Sequence, residues 1–323
     1  MKKSVAVAAL VAATMAGGAG AAWAQDYPAR PVRMLVPFPP GGGSDTIARI
    51  VAQKFSELLR QQVIVDNRAG ASGNIAGELA AKAVPDGYTL LFGNSSLAIS
   101  PAVFGKLNYS PSRDLAAISL ASQYPFVLVA HPALPAKTVK DLVALAKARP
   151  NALDYASSGA GTMSHMAMEL LRLKSGVRIT HLPYKGAAPQ SVAVLTGEAQ
   201  AAFVVLPVAV RHFNDGKLRG LGVAGPKRAT IAPDVPTMIE AGIAGHTAVQ
   251  WNGLFAPAKT PQPVLDKLNQ AWVAAVKAPE VSKRIVASGA EPGGNAAAEF
   301  AAFVREETEK WAEVAKASGT KLD

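Results

Sequence analysis

Pro39-Pro40-Gly41-Gly42-Gly43-Ser44-Asp45 joins an apolar run, Val32 to Phe38, to a helical run that begins near Asp45. Three successive glycines leave backbone N–H groups uncovered by side chains, and a helix N-terminus beyond them adds a partial charge of about +0.5. A strand, a glycine loop and a helix in that order predict an anion cradle at the carboxyl end of a strand.

The chain around this loop alternates in the same way. Ile47, Ile50, Val51, Phe55, Leu58 and Leu59 recur at helical spacing over Asp45 to Leu59. Val63 to Val65 reads as a buried strand, Asn74 to Ala83 as a helix, Pro85-Asp86-Gly87 as a turn and Tyr88 to Phe92 as a third strand. This βαβαβ order predicts an α/β fold: a doubly wound parallel sheet with helices on both faces and ligands beyond the carboxyl ends of its strands. A second set follows. Its strands fall at Phe126 to Val129, Leu153 to Ala156, Ile179 to Leu182, Ala201 to Val205 and Gly220 to Val223. Its helices fall at Val139 to Ala148, Thr162 to Leu173 and Gln190 to Thr196, and helices at Pro263 to Val276, Glu280 to Ala287 and Ala297 to Ala317 end the chain. The two sets divide near Tyr124-Pro125.

The second set carries its own cradle candidate, Ser157-Ser158-Gly159-Ala160-Gly161-Thr162-Met163-Ser164-His165. Thr162 or Ser164 can cap the following helix while hydroxyls and loop amides face outward. Two such loops suggest a cleft; the plainer reading is that both are βα turns using Gly and Ser for backbone freedom. Asp45 suits a first helical turn, where it contributes about 0.3–1 kcal/mol against the dipole, and alternatively orders the loop or meets a ligand. His165 can donate to a bound carboxylate or pack beside Met166 and Met168. Tyr184-Lys185 follows a strand, where it faces either a cleft mouth or solvent. Trp251, within Gln250-Trp251-Asn252-Gly253, offers an aromatic wall or a core residue. Asn94 and Ser95 sit at a strand end, where they meet ligand or cap the next segment.

Composition narrows the function classes. The 323 residues are 50% hydrophobic and 17% charged with a formal net charge of +10, and the basic residues are scattered, without an aromatic-interleaved basic run that would mark nucleic-acid binding. Lys2-Lys3, the apolar run Val5 to Met15 and Ala22-Trp23-Ala24 read as a signal peptide over residues 1–24. Absence of cysteine excludes lipidation at an N-terminal Cys, disulfides, thiol catalysis and thiolate metal sites. The glycine loop lacks the Lys-Ser/Thr ending of a P-loop and the third glycine of a dinucleotide fingerprint. Ser157 to Gly161 does not fit a nucleophile elbow. The histidines, His131, His165, His181, His212 and His246, lack metal-ligand spacing. No cofactor, metal site or catalytic constellation is expected.

Several of these segments, taken in order, resemble the Bug (TctC-type) family of tripartite tricarboxylate transporter periplasmic binding proteins. They are Tyr27-Pro28, Arg30-Pro31, Val36-Pro37-Phe38 with the Pro39 to Asp45 loop, Ala48-Arg49, and Asn67-Arg68-Ala69-Gly70-Ala71-Ser72-Gly73. Pro85 to Thr89, Ser157 to His165, Pro183-Tyr184-Lys185-Gly186, and Pro233 to Thr237 with Glu240-Ala241-Gly242 complete the set. The resemblance implies a periplasmic binding protein fold, two α/β domains joined by a hinge with the ligand cleft between them. Residues 25–125 with 246–323 would form a discontinuous first domain and 126–245 the second. It further implies that Phe38, Gly41, Gly42, Gly43, Ser44 and Asp45 form one ligand loop, and that Ser158, Gly161, Thr162 and Ser164 grip a ligand carboxylate. Members often carry an acidic residue after the strand matching Ala201 to Val205, where this chain has Leu206-Pro207-Val208; Leu206 there suits a ligand without an ammonium group. The expected function is periplasmic capture of a small anionic solute, a dicarboxylate or aromatic acid, by a monomer serving a membrane transporter or a sensor, with no turnover and no nucleic acid. An exported enzyme acting on a small organic acid is the alternative.

Overall fold

The computed structural model describes residues 27–322, so the signal-peptide reading over 1–24 lies outside the described residues. From the amino end, β1 (Val32–Val36), α1 (Gly43–Leu59), β2 (Val63–Asn67), α2 (Asn74–Ala81) and β3 (Thr89–Asn94) form the first βαβαβ unit. Strand β1 pairs in parallel with β2 on one side and β3 on the other. Its residues Val32, Met34, Leu35 and Val36 are fully buried, as a strand covered on both faces demands. Two helices, α3 (Ser96–Val103) and the short α4 (Pro111–Asp114), lead into β4 (Leu115–Ala130), a strand of 16 residues.

The next segment runs α5 (Val139–Ala148), β5 (Asp154–Ser157), α6 (Met163–Ser175), β6 (Thr180–Pro183), α7 (Ala187–Leu195), β7 (Ala201–Val205), α8 (Leu206–Phe213) and β8 (Arg219–Val223). Thr138 and Asp141 form a capping box that starts α5. The chain then returns through β9 (Val249–Pro257), α9 (Gln262–Lys277), α10 (Pro279–Ala287), the two-residue β10 (Glu291–Pro292) and α11 (Ala297–Ser318).

The sheet order is β2-β1-β3-β9-β4-β7-β5-β6, with β8 and β10 also on β4. It is mixed rather than parallel throughout. Strand β9 runs antiparallel to both β3 and β4, and β4 is antiparallel to β7 and β8. Residues Leu115 to Pro125 of β4 pair with β9, and Phe126 to Ala130 pair with β7 and β8. The exchange of partners falls at Pro125, a residue with no N–H to give to a ladder.

Helices cover both faces of each part. Around β1, β3 and β9, one face packs Ile47, Val51 and Phe55 of α1 with Trp272 of α9 and Ile285 of α10. The Trp272 and Phe55 rings meet edge to face at 5.0 Å, a geometry worth about 0.5–1.5 kcal/mol beyond area burial. The opposite face gathers Ala76, Leu97, Trp251, Phe255 and Phe300. Around β5 and β7, Leu142, Met166 and Leu171 pack on one face and Ala193, Val194 and Ala209 on the other. Helix α11 reaches both parts, with Phe300 in the first core and Trp311, Val314 and Ala315 in the second.

Strand β9, helices α3, α4 and α8, the two-residue β10 and the Leu115 to Pro125 part of β4 are invisible to the periodicity reading. Strand β9 carries Gln250, Asn252 and Gly253 within its run and so does not look like a buried strand, yet it is buried from Gln250 to Pro257. Helix α3 contains Pro101, and α8 begins Leu206-Pro207, with proline at its first turn, where its missing N–H costs nothing. Gly253 is required by packing: a methyl there would enter the Phe300 ring and lie 3.0 Å from the Ser119 carbonyl oxygen. Gly253→Ala is expected to destabilise the fold by about 1–3 kcal/mol, read as a lower urea midpoint; an unchanged midpoint would contradict this packing.

Candidate functional site

The first jaw is built around Asp45, whose side chain is 4% exposed. Its carboxylate accepts from the Gly41 N–H at 2.9 Å, from Arg49 Nε at 3.0 Å and from Asn67 Nδ2 at 2.9 Å. Asn67 Nδ2 also donates to the Phe38 carbonyl at 2.9 Å, and Arg49 Nη2 to Asn67 Oδ1 at 3.0 Å. Burial works to raise the Asp45 pKa, but these donors outweigh it and hold the carboxyl below the usual aspartate range. Asp45 is therefore committed to fixing the loop from Phe38 to Gly41. Phe38 itself is half-buried and Gly41 and Gly43 are exposed.

Helix α1 starts at this loop with Gly42 as N-cap and no capping side chain. Its first intrahelical bond runs from the Thr46 N–H to the Gly42 carbonyl at 2.9 Å, which leaves the N–H groups of Gly43, Ser44 and Asp45 without an intrahelical acceptor. Ser44 turns its hydroxyl away, donating to Asn252 Oδ1 at 2.8 Å. The helix start lies against Tyr124: a Cβ on Gly43 would sit 3.0 Å from the phenol oxygen. Burial pushes the Tyr124 pKa up to about 12, with Asn252 pulling the other way, so at neutral pH it is a proton donor.

The second jaw differs in kind. Its loop amides are mostly consumed internally rather than turned outward: Ser158 N–H donates to Ser164 Oγ at 2.9 Å, Gly159 N–H to Ser157 Oγ at 3.2 Å and Gly161 N–H to His165 Nδ1 at 3.0 Å. What it presents is a hydroxyl trio. Ser158 Oγ lies 3.2 Å from Thr162 Oγ1 and 3.0 Å from Ser164 Oγ, with Thr162 and Ser164 3.1 Å apart. One hydrogen goes to the Gly159 carbonyl, from Thr162 at 2.7 Å. Ser158 is the half-buried member and Thr162 and Ser164 are buried, so Ser158 is the outermost hydroxyl.

His165 stands beneath this loop. Its ring stacks on His181 at 4.1 Å, and His181 stacks on Tyr155 at 4.8 Å. Accepting from Gly161 requires an unprotonated Nδ1, which puts the proton on Nε2, 3.7 Å from Glu169 Oε1. Burial, with Arg172 nearby, holds the His165 pKa down to about 4, and burial with His165 beside it takes His181 to about 3. Both rings are neutral at pH 7.

Several expected site residues take up structural positions. Asn94 Oδ1 accepts from the Ser96 N–H at 3.0 Å and so starts α3, and Ser95 Oγ donates to Gln250 Oε1 at 2.9 Å. Trp251 is fully buried among Phe255, Phe300 and Phe303. Leu206 is 1% exposed within the core around Val204 and Ala209. The Tyr184 backbone lies at the second jaw, its N–H donating to the Ser157 carbonyl at 2.9 Å, while its half-buried side chain stands beside Glu198, which precedes β7. Tyr124, missed in the sequence, is the residue the fold adds; its signal was only its place beside Pro125. Among the described residues no group of three or more His, Asp or Glu could hold a metal ion.

Paired α/β layers with a loop jaw on each, joined by strands that pass between them, make this a periplasmic solute-binding fold. The chain belongs to the family described as tripartite tricarboxylate transporter family receptor, whose model matches residues 47–320. BugT of Bordetella pertussis is 36% identical over 324 residues, spanning 100% of this chain and 99% of BugT. The structure of R. palustris Rpa4515 with adipate superposes with a TM-score of 0.85 at 33% identity, over 92% of this chain and 100% of that one. MatC (Rpa3494) from Rhodopseudomonas palustris with bound malate gives 0.81 at 32% identity, over 89% and 99%.

The Asp45 network has a measurable consequence. A depressed carboxyl stabilises the fold fully above the unfolded pKa, about 3.9, and that contribution is lost as pH falls through the lower folded value. Asp45→Asn is expected to lower the melting temperature at pH 7, with the gap to wild type closing below about pH 4. A gap that stays constant down to pH 2 would show that the charge is not what orders the loop.

Proposed function

We propose that this protein captures a small dicarboxylate or aromatic acid in the periplasm, as a monomer and without turnover, and delivers it to a tripartite tricarboxylate-type membrane transporter or a sensor. The observation that carries this reading is the pair of dissimilar jaws. Open amides at the start of α1 beside the Tyr124 phenol suit one carboxylate. The Ser158, Thr162 and Ser164 hydroxyls suit another. Charge-assisted hydrogen bonds of this type contribute about 1.5–3 kcal/mol each. Adipate on Rpa4515 and malate on MatC are both dicarboxylates. No acidic residue lies in the first turn of α8, which suits a ligand without an ammonium group.

The moving parts in this reading are residues 25–125 with 246–323, and residues 126–245. Two chain crossings support that division: β4 changes partners after Pro125, and the Ala248 carbonyl accepts from the Phe126 N–H at 3.2 Å just before β9 begins. Rotation at these two points would open and close the jaws about the ligand. Periplasmic placement is supported by the leader-like residues 1–24. Among the described residues no helix is long and apolar enough to cross a membrane.

A thermal-shift series tests the ligand class. A dicarboxylate or aromatic acid at about 100 times its dissociation constant stabilises by about 2.7 kcal/mol, a rise on the order of 5 °C for a chain of this size. Adipate, malate and benzoate are compared with an amino acid and a sugar. Stabilisation by the amino acid or the sugar, with none from the acids, overturns the reading.

A further inference from the structure

The segment Gly70-Ala71-Ser72-Gly73 is conformationally unusual and plays no part in either jaw as described. All four residues have positive φ, at 135°, 46°, 54° and 97°. For Gly70 and Gly73 that is unremarked backbone freedom, but Ala71 and Ser72 are held in the left-handed region that residues with a Cβ seldom occupy. The turn is fixed from its own side. The Gly73 N–H donates to the Gly70 carbonyl at 2.9 Å, and Asn74 Nδ2 donates to the Ala71 carbonyl at 2.9 Å. Asn74 is itself buried and held by the Tyr109 hydroxyl at 3.0 Å.

Local order of this kind aims the Ser72 hydroxyl at the opposite jaw. Ser72 Oγ donates to the Ala160 carbonyl at 2.7 Å, a hydrogen bond between residues 88 apart in sequence. Ser72 Oγ also lies 3.8 Å from where a Cβ on Gly159 would stand, so the turn reaches the second loop at two successive residues. The second jaw also meets the same unit at Gly161, which lies against Val103, Phe104 and Leu322. That contact is apolar and continuous with the core that contains Ile99, Val103 and Trp311. The Ser72 contact is polar, half-buried and made by a single side chain, which makes it the readily broken one of the two.

From this geometry we infer that Ser72 is the closure latch of the clamp: the strained turn presents its hydroxyl to the Ala160 carbonyl and so sets how long a bound acid is retained. The inference rests on the carboxylate-binding reading for its ligand, though the latch itself is a property of the protein alone. Because Asn74 and Tyr109 order the turn independently of the second jaw, closing the clamp adds the hydrogen bond with little further ordering. An interaction made only in the closed state slows ligand escape, so its loss appears in the dissociation rate.

Stopped-flow kinetics with adipate and malate on wild type, Ser72→Ala and Ser72→Gly test this. Glycine suits the positive φ and relieves the strain, so that variant keeps the fold while deleting the hydroxyl. Both variants are expected to release ligand about threefold to tenfold faster and to bind it at least as fast as wild type. Small-angle scattering without added ligand is expected to show a larger radius of gyration for both variants than for wild type. If wild type binds neither these acids nor benzoate, the ligand reading fails, and the scattering comparison still decides the latch. Dissociation rates and radii equal to those of wild type in both variants would overturn it.

Discussion

The structure depends on the antiparallel pairing of β4 with β9. From Leu115–Pro257 to Pro125–Val249 the two strands lie side by side, and on either side of them every other strand of the sheet is added. Because this pair is central, β9 is buried along almost its whole length, and its polar residues cannot reach water. A buried donor or acceptor left unpaired costs about 1–3 kcal/mol. Asn252 is met by Ser44 and Ser122, and Gln250 by Ser95. Ser44 belongs to the first turn of α1, so satisfying the central strand also locates the first jaw. The same pair carries the chain into the second part through Pro125, and Tyr124, the residue before it, reaches the start of α1. Core, crossing and jaw are thereby fixed by one set of contacts.

Much of this was legible in the sequence where a single period governs a segment. Helix α1 follows from Ile47, Val51 and Phe55 at helical spacing, and α5 and β7 have the bounds their patterns predict. Asp45 could be read as the residue that orders the glycine loop, because a carboxylate four residues beyond Gly41 can bond back to its N–H. Strand β9 was not legible: its Gln250 and Asn252 break an apolar run for reasons that exist only once Ser44, Ser95 and Ser122 arrive from elsewhere. For the same reason Trp251 could be read as a cleft wall, since nothing local reveals the phenylalanines around it. Helices α3 and α8 were hidden by prolines that their positions tolerate. The family motif from Asn67 to Gly73 was visible as a motif, but its left-handed Ala71 and Ser72 are set by Asn74 and Tyr109, a tertiary constraint.

In the proposed reading the two jaws hold an anion in different ways. At α1 the helix start has no capping side chain, and in that reading the ligand completes the cap. At α6 the amides are turned inward and tied to Ser157, Ser164 and His165, so the surface available is made of hydroxyls. Hydroxyls donate or accept as required, whereas amides only donate.

The buried stack beneath the second jaw explains why that inward arrangement is stable. Two imidazoles 4.1 Å apart would repel if both were protonated, but burial keeps each neutral, and His165 can then accept the Gly161 N–H. Glu169 keeps the other side of the stack in place through the Tyr155 hydroxyl at 2.9 Å and Arg172 at 2.7 Å. A general acid or base serves best with a pKa near the working pH and a free position beside the reacting group. His165 and His181 are depressed to about 4 and 3 and bonded to their own loop, and Asp45 is bonded to the other. The titratable side chains nearest the jaws are therefore used to hold the loops in shape, and in the proposed reading contact with the ligand falls to groups that do not change protonation near neutral pH. That division of labour favours holding a molecule over transforming it.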